Sequence, residues 1–325
     1  MKAKCKRHQA FTNIYPGQEM TFFMAKDSAN TVGRVYWAEK SVMPDQVSNS
    51  AFTIRELATI PELEAVLRLE KEVWGFEDAD VTPLTLAVAM QASGSIWLGA
   101  FNKDALTGFA FAFPSLYQGR VGMHSHTLAV HPSFDNRGLG YQLKLAQRQR
   151  ALARGIAEIT WTFDPLRARN AHLNFSKLGV ISDSYRPDFY GAETSSSLHT
   201  NGTDRLWVTW RLADSRVENC VKGKSRRAET LDALAHIEPL IRFNGDGKPA
   251  IGDVAQALSR QRVAIEIPGD IAHIESTNRD LAHQWRLATR SAFTQAINAG
   301  FTVTEFCRSI RGQQGPGAYL LEKME

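Results

Sequence analysis

The run Val130-His131-Pro132-Ser133-Phe134-Asp135-Asn136-Arg137-Gly138-Leu139-Gly140 constrains this chain more than any other stretch. A β-like segment, Ser125 to His131, enters a short turn holding two glycines one residue apart, and a helical segment, Leu139 to Arg154, leaves it. Backbone N–H groups in such a turn and in the first turn of a helix have no internal partner, and the helix dipole adds partial positive charge there. Together they attract phosphate oxygens. Glycine belongs where a side chain would hold the backbone away from the anion. The turn therefore reads as a diphosphate cradle, although it fits neither G-x-G-x-x-G nor G-x-x-x-x-G-K-[ST]. The plainer reading of the same residues is a strand–turn–helix corner with two turn glycines.

Bulk properties narrow the setting. A chain of 325 residues, 43% of them apolar, has enough material for one large core or two moderate ones. Cys5, Cys220 and Cys307 are scattered and odd in number, without metal-ligand spacing. That predicts a reducing compartment, no disulfide framework and no metal site. No apolar run has the length of a membrane span, and Phe22-Phe23-Met24-Ala25 is too short for a signal-peptide core, so a cytoplasmic protein without a membrane partner is expected. The net charge of +4 suits an anionic ligand and is too small to imply nucleic acid. The basic cluster from Lys222 to Arg227 lacks interleaved aromatics and reads as a solvated linker.

Residues 1–50 show no sustained periodicity and are expected to form a poorly ordered extension, with Met43 an alternative start. Signals sharpen from Ala51. Phe52 to Leu57 reads as a strand, and Thr59-Ile60-Pro61-Glu62 as a capping box. The helix it opens has Leu63, Val66, Leu67, Val73 and Trp74 on one face and stops at Gly75. Pro83 starts a second helix toward Ser93. Ser95–Phe101 and Leu106–Phe113 read as a hairpin, and Val121–Pro132 as the strand that delivers the cradle. Ile156–Phe163 is the next strand. Asp164 and Pro165 then begin a helix, as N-cap and first residue, that runs to Leu178 before Gly179. Val180–Tyr185 and Leu206–Leu212 close the series.

Val130, Pro132, Phe134, Gly138 and Gly140 match in register the pattern V-x-P-x-[YF]-[RQ]-x-x-G-x-[GA], and the segment resembles motif A of the GNAT superfamily of acyl-CoA-dependent N-acyltransferases. The element order β-α-α-β-β-β-α-β-α-β-β is also that family's order, so the resemblance covers residues 51–212. Asp135 departs from it, standing where Arg or Gln is usual; Arg137 in the same turn is the candidate replacement for the missing positive charge. Trp161 to Leu166, Arg169-Asn170-Ala171, Asn174, Leu178-Gly179, Tyr190-Gly191, Asp204-Arg205 and Trp285-Arg286 resemble the signature of a prokaryotic subgroup with a C-terminal extension. The resemblance implies an α/β (α+β) chain: a GNAT fold with a mixed central sheet and flanking helices over residues 51–212, and a smaller α/β extension over residues 213–325. In that extension Ala228–Pro239 reads as helix, Arg262–Ile267 as strand, Leu281–Ala299 as an amphipathic helix, and Phe301–Cys307 and Tyr319–Glu322 as strands. Their β-α-β-β order echoes the second half of a GNAT unit, as a degenerate half-repeat walling the acceptor side.

The resemblance further implies acetyl-CoA, or another acyl-CoA, as co-substrate and a small-molecule amine as acceptor, with direct transfer in a ternary complex. Leu128, Ala129 and Val130 would supply backbone donors. Asn136, Arg137, Gly138, Leu139, Gly140 and Tyr141 would form the cradle, with Asn170 and Asn174 as further contacts or as a structural pair. His124 and His126 alternate on the delivering strand, resembling arylalkylamine N-acetyltransferases, where two such histidines pass protons through water; each also reads as a strand histidine satisfied by a neighbour. The tyrosine that many relatives use as acid falls here on Phe175, so Tyr190 is the substitute candidate acid, or else a core aromatic. Asp164 reads as a helix cap. Asp135 and Phe175 also sustain a second reading, a non-catalytic acyl-CoA-binding or regulatory protein.

Overall fold

A computed structural model describes residues 52–78, 80–191, 199–224, 227–312 and 315–324. The expected extension at residues 1–50 lies outside them. The chain begins with β1 (Thr53–Glu56), α1 (Ile60–Trp74) and α2 (Leu84–Ala92). The Glu62 carboxylate accepts the N–H groups of Ala58 and Thr59 at 2.8 and 3.0 Å, and Gly75 ends α1 at φ 65°, where its N–H reaches the Lys71 carbonyl. β2 (Ile96–Asn102), β3 (Ala105–Tyr117) and β4 (Arg120–Val130) form an antiparallel meander, and α3 (Leu139–Ala153) crosses over to β5 (Glu158–Phe163), parallel to β4.

Strands β2 and β3 read as unbroken apolar runs because both faces are covered. Trp97, Phe109 and Phe111 pack with Leu63, Val66 and Leu69 of α1, whereas Ile96, Leu98, Ala110 and Ala112 pack with Leu139 and Leu143 of α3.

After β5 the expected helix starts later than Asp164. Asp164 accepts the Leu166 N–H at 3.0 Å and caps only a turn; regular helix begins with α4 (Ala168–Ala171) and widens into a π-helix at His172–Leu178. Gly179, at φ 72°, ends it with its N–H on the Asn174 carbonyl. β6 (Ile181–Arg186) and β7 (Arg205–Arg211) follow, then α5 (Ser215–Val221) and α6 (Arg227–Ala235). The predicted helix Ala228–Pro239 thus stops short, because Pro239 opens β8 (Pro239–Phe243), which hairpins into β9 (Pro249–Ile251). α7 (Val254–Leu258), β10 (Arg262–Ile267), α8 (Ile271–Thr277), α9 (Arg279–Asn298), β11 (Phe301–Cys307) and β12 (Gly317–Lys323) complete the chain.

The described strands form one twelve-stranded sheet in the order β1-β2-β3-β4-β5-β7-β6-β11-β12-β10-β8-β9. The tail joins it where β11 runs antiparallel to β6, at Val303 and Ser182. From β4 to β8 the order reads alike from either end. β4 lies parallel to β5 as β8 lies parallel to β10, and β7 sits between β5 and β6 as β12 sits between β10 and β11.

Candidate functional site

Strand β4 changes its pairing midway. Ser125 faces Ala112 and Thr127 faces Phe111, so His126 is the extra residue of a β-bulge. On the other side, the parallel ladder to β5 holds only Met123 with Ile159 and His124 with Thr160. Beyond that point β4 has no described partner toward β5. The strand continues through a 3₁₀ turn, Pro132–Phe134, to Asn136 at φ 60° and Gly138 at φ 75°. Gly138 stands at the N-cap of α3 with no side chain capping it, and a Cβ built on it would meet nothing within 4 Å. A Cβ on Gly140 would lie 3.4 Å from Leu128 Cδ2. The first turn of α3 is thus open at Gly138 and closely packed at Gly140.

Two cavities meet at this splay. The first, of about 960 Å³, is lined by Leu128, Ala129 and Val130 of β4, by Asn136, Gly138, Leu139, Gly140 and Tyr141 of the turn and α3, and by Asn170 of α4. Of the predicted cofactor contacts, Arg137 is absent from this lining; its guanidinium lies over the Phe134 ring at 5.4 Å. The charge of Asp135 is met instead by Arg169, whose Nη1 and Nη2 donate to its two carboxylate oxygens at 2.7 and 2.5 Å and hold that carboxyl below its ordinary pKa.

The second cavity, of about 620 Å³, lies on the other side of the splay and shares Trp74, Leu128, Asn170 and Leu173 with the first. Asn174, predicted as a cofactor contact, lines this one. His126 lines it too, and burial of its imidazole lowers its pKa from the ordinary value, which favours the uncharged ring. His124 is not among the lining residues. Its Nδ1 pairs with Thr160 Oγ1 at 3.0 Å, its ring packs on Phe113 and Trp207, and burial pushes its pKa down to about 4. Tyr190 lines the cavity, stacked on His199 with ring centroids 5.4 Å apart. Phe175 is fully buried, edge-on to Phe163 and Tyr319, and offers no proton to either cavity.

Glu70, Lys144 and Arg205 are among the polar residues of this second cavity to which the sequence assigned no role in the site. Glu70, 2% exposed, takes the backbone N–H of Thr82, while its Oε2 has no partner; burial pushes its pKa up to about 7. Lys144 is buried on α3, with Nζ 2.7 Å from Ser125 Oγ and 3.8 Å from the Trp161 ring centroid, and burial lowers its pKa to about 7. Arg205 opens β7. A signal existed for the first two: Glu70 falls four residues after Val66 and seven after Leu63, on the apolar stripe of α1, and Lys144 follows Leu143 on the buried face of α3. A charge on such a stripe marks either a buried pair or a site. Among the described residues, no cluster of three or more His, Cys, Asp or Glu side chains is placed to hold a metal ion, and no helix is long and apolar enough to cross a membrane.

No family model and no curated protein matches the chain. Among solved structures it is similar to the ribosomal-protein-S18-alanine N-acetyltransferase from Escherichia coli, at 18% identity over 50% of this chain and 96% of that one, with a TM-score of 0.40. It is similar also to an aminoglycoside 6'-acetyltransferase type Ii, at 21% identity over 50% and 97% of the two chains, with a TM-score of 0.38. A GNAT family acetyltransferase from Elizabethkingia anophelis with acetyl-CoA bound shares 16% identity over 50% and 99%, with a TM-score of 0.37.

Proposed function

We propose that the chain is an acyl-CoA-dependent N-acyltransferase that moves an acetyl group, in the simplest case, from acetyl-CoA to a small amine by direct transfer. The observation that carries this reading is the meeting of the two cavities at the β4–β5 splay, one lined by an open helix N-terminus and the other by His126. The residues fit the coenzyme. Unpaired N–H groups from Gly138 to Tyr141 and the N-terminal dipole of α3 suit a diphosphate, and a cavity of about 960 Å³ has room for an extended ligand.

Acyl-CoA supplies an activated acyl thioester. The chain supplies the rest. The free edge of β4 offers the N–H groups of Leu128 and Val130 to orient a carbonyl, whereas the Ala129 N–H, two residues before the His131 N–H that donates to the Thr107 carbonyl, faces β3. His126 takes a proton from the attacking ammonium, directly or through water. His124, tied to Thr160 outside the second cavity, serves as the next group along that proton path. Tyr190 is the hydroxyl in the second cavity nearest the role that Phe175 leaves vacant.

Thiol release from acetyl-CoA in the presence of an amine panel tests the reading. Release is expected, and His126→Ala should lower kcat about a hundredfold with the fold intact. A loss below about tenfold removes His126 from the mechanism. Phe175 favours one other reading, binding of acyl-CoA without turnover. Calorimetric binding of CoA with no thiol release from any amine would establish it in place of the transferase.

A further inference from the structure

We infer that the acceptor carries an anionic group, a carboxylate in the simplest case, beside the amine that is acylated, and that Arg205 holds it. The inference rests on the transferase reading for the identity of the second cavity. Arg205 lines that cavity half-buried, and its guanidinium makes one described hydrogen bond, from Nη1 to the Asp204 carbonyl at 2.8 Å. It lies 5.2 Å from the Tyr190 ring centroid. No described carboxylate comes within ion-pair distance of it. A guanidinium has five N–H donors, and leaving most of them without an acceptor in a recess is costly.

The carboxylates around it are already engaged, and helix α9 engages them. Asp164 receives Arg286 through both terminal nitrogens at 2.9 and 2.8 Å. Asp204 receives Arg290 through Nε at 2.8 Å and Nη2 at 2.5 Å, and also the Tyr185 hydroxyl at 2.6 Å. Asp188 takes Arg290 as well, at 2.7 Å. Two arginines one helical turn apart thus neutralise the acids that would otherwise pair with Arg205. Lys144, in the same cavity, donates to Ser125 and Gln147 and pairs with no carboxylate among the described residues.

The opposite sign is present in the cavity at Glu70, whose Oε2 has no partner, and at Asp80. A monoamine would satisfy Glu70 and leave Arg205 unpaired. A zwitterion satisfies both.

The test compares matched acceptors with acetyl-CoA: phenylalanine with phenethylamine, tyrosine with tyramine, histidine with histamine, and a series of ω-amino acids of rising chain length. The carboxylate-bearing partner should lead each accepted pair by about tenfold or more in kcat/KM. Arg205→Gln should bring that ratio close to unity through KM, and Arg205→Lys should restore part of it. Equal use of both partners by the wild type, or an equal loss for both in the variant, overturns the inference. A binding arm separates it from the transferase reading. N-acetylphenylalanine, N-acetyltyrosine and N-acetylhistidine are titrated calorimetrically into CoA-loaded protein. Binding that Arg205→Gln abolishes, with no thiol release from any acceptor, keeps the anion anchor and removes the transferase. Thiol release from monoamines alone, with none of the three bound, keeps the transferase and removes the anchor.

Discussion

The two ends of the sheet follow one path with opposite results. In the first, β4 runs into an uncapped helix start at Gly138, where an added Cβ would meet open space, and α3 continues for 15 residues. In the second, β8 turns back through β9, and the helix that leads to β10, α7, has 5 residues. Its N-terminus is closed by its own sequence: Asp253 accepts the Gln256 N–H at 3.0 Å. A Cβ on the preceding Gly252 would lie 2.6 Å from the Pro239 carbonyl oxygen. A shared strand order therefore does not make a site. The candidate site needs backbone donors left unpaired beside space, and in the second end the cap takes one donor while the hairpin takes the space. That end contributes instead the arginines of α9, which pair with Asp164, Asp188 and Asp204.

The largest expected effect is on the link between the ends. Arg286 is 1% exposed and pairs with Asp164 across them. Arg286→Ala should cost about 3–5 kcal/mol in urea unfolding, because it strands a buried carboxylate, and Asp164→Ala in the same chain should recover part of that loss. A cost below about 1 kcal/mol would mean that the Arg286–Asp164 pair adds little to the link between the ends.

Next in size is the pH response of Glu70. Its pKa rises from 4.5 to about 7 on folding, so its contribution to stability is full below 4.5 and is lost as pH rises through 7. Glu70→Gln should therefore stabilise the protein by about 3 kcal/mol at pH 8 and hardly at pH 4, measured by thermal or urea unfolding. The same titration should reach function. On the proposed reading, acceptor KM should rise as pH falls through about 7, where Glu70 loses its charge, while kcat should fall only at a lower pH, because burial holds the His126 imidazole below its ordinary range. Coincident limbs would assign both roles to one group.

The contrast at the helix starts can be transplanted. Gly138→Asp places at α3 the carboxylate that α7 already has, at a φ that Asp tolerates better than most residues. CoA should bind about 10- to 100-fold more weakly by calorimetry, from the occupied N–H groups and the repelled diphosphate, with stability changed by no more than about 1 kcal/mol. Undiminished binding would move the diphosphate away from the start of α3.

Local signals made much of this legible. The capping box at Thr59, the glycines at 75 and 179, and the apolar runs of β2 and β3 placed the first-end elements within a few residues, and periodicity placed α9. What escaped is non-local or short. The bulge at His126 depends on the register against Phe111 and Ala112, and the seat of β11 beside β6 depends on a contact more than a hundred residues apart in sequence. The hairpin through Asn244 and Gly247, and helices α5, α7 and α8, are too brief for a period to show. In the candidate site, the turn at Gly138 could be read because its φ of 75° favours glycine. Arg205 could not, because its meaning lies in which acids α9 removes from its reach.

The smallest expected effect is the converse transplant. Asp253→Ala uncaps α7 and should cost about 1 kcal/mol in urea unfolding, with faster amide exchange confined to the helix start. CoA affinity should not change, and no second equivalent should bind. A helix of 5 residues sums few peptide dipoles, and the close approach of Gly252 to Pro239 leaves no room for a diphosphate even with the cap removed. A second bound equivalent in Asp253→Ala would show that the cap alone had silenced that end. Absence of one would place the cause in the hairpin, where β9 stands in the space that the first end leaves open.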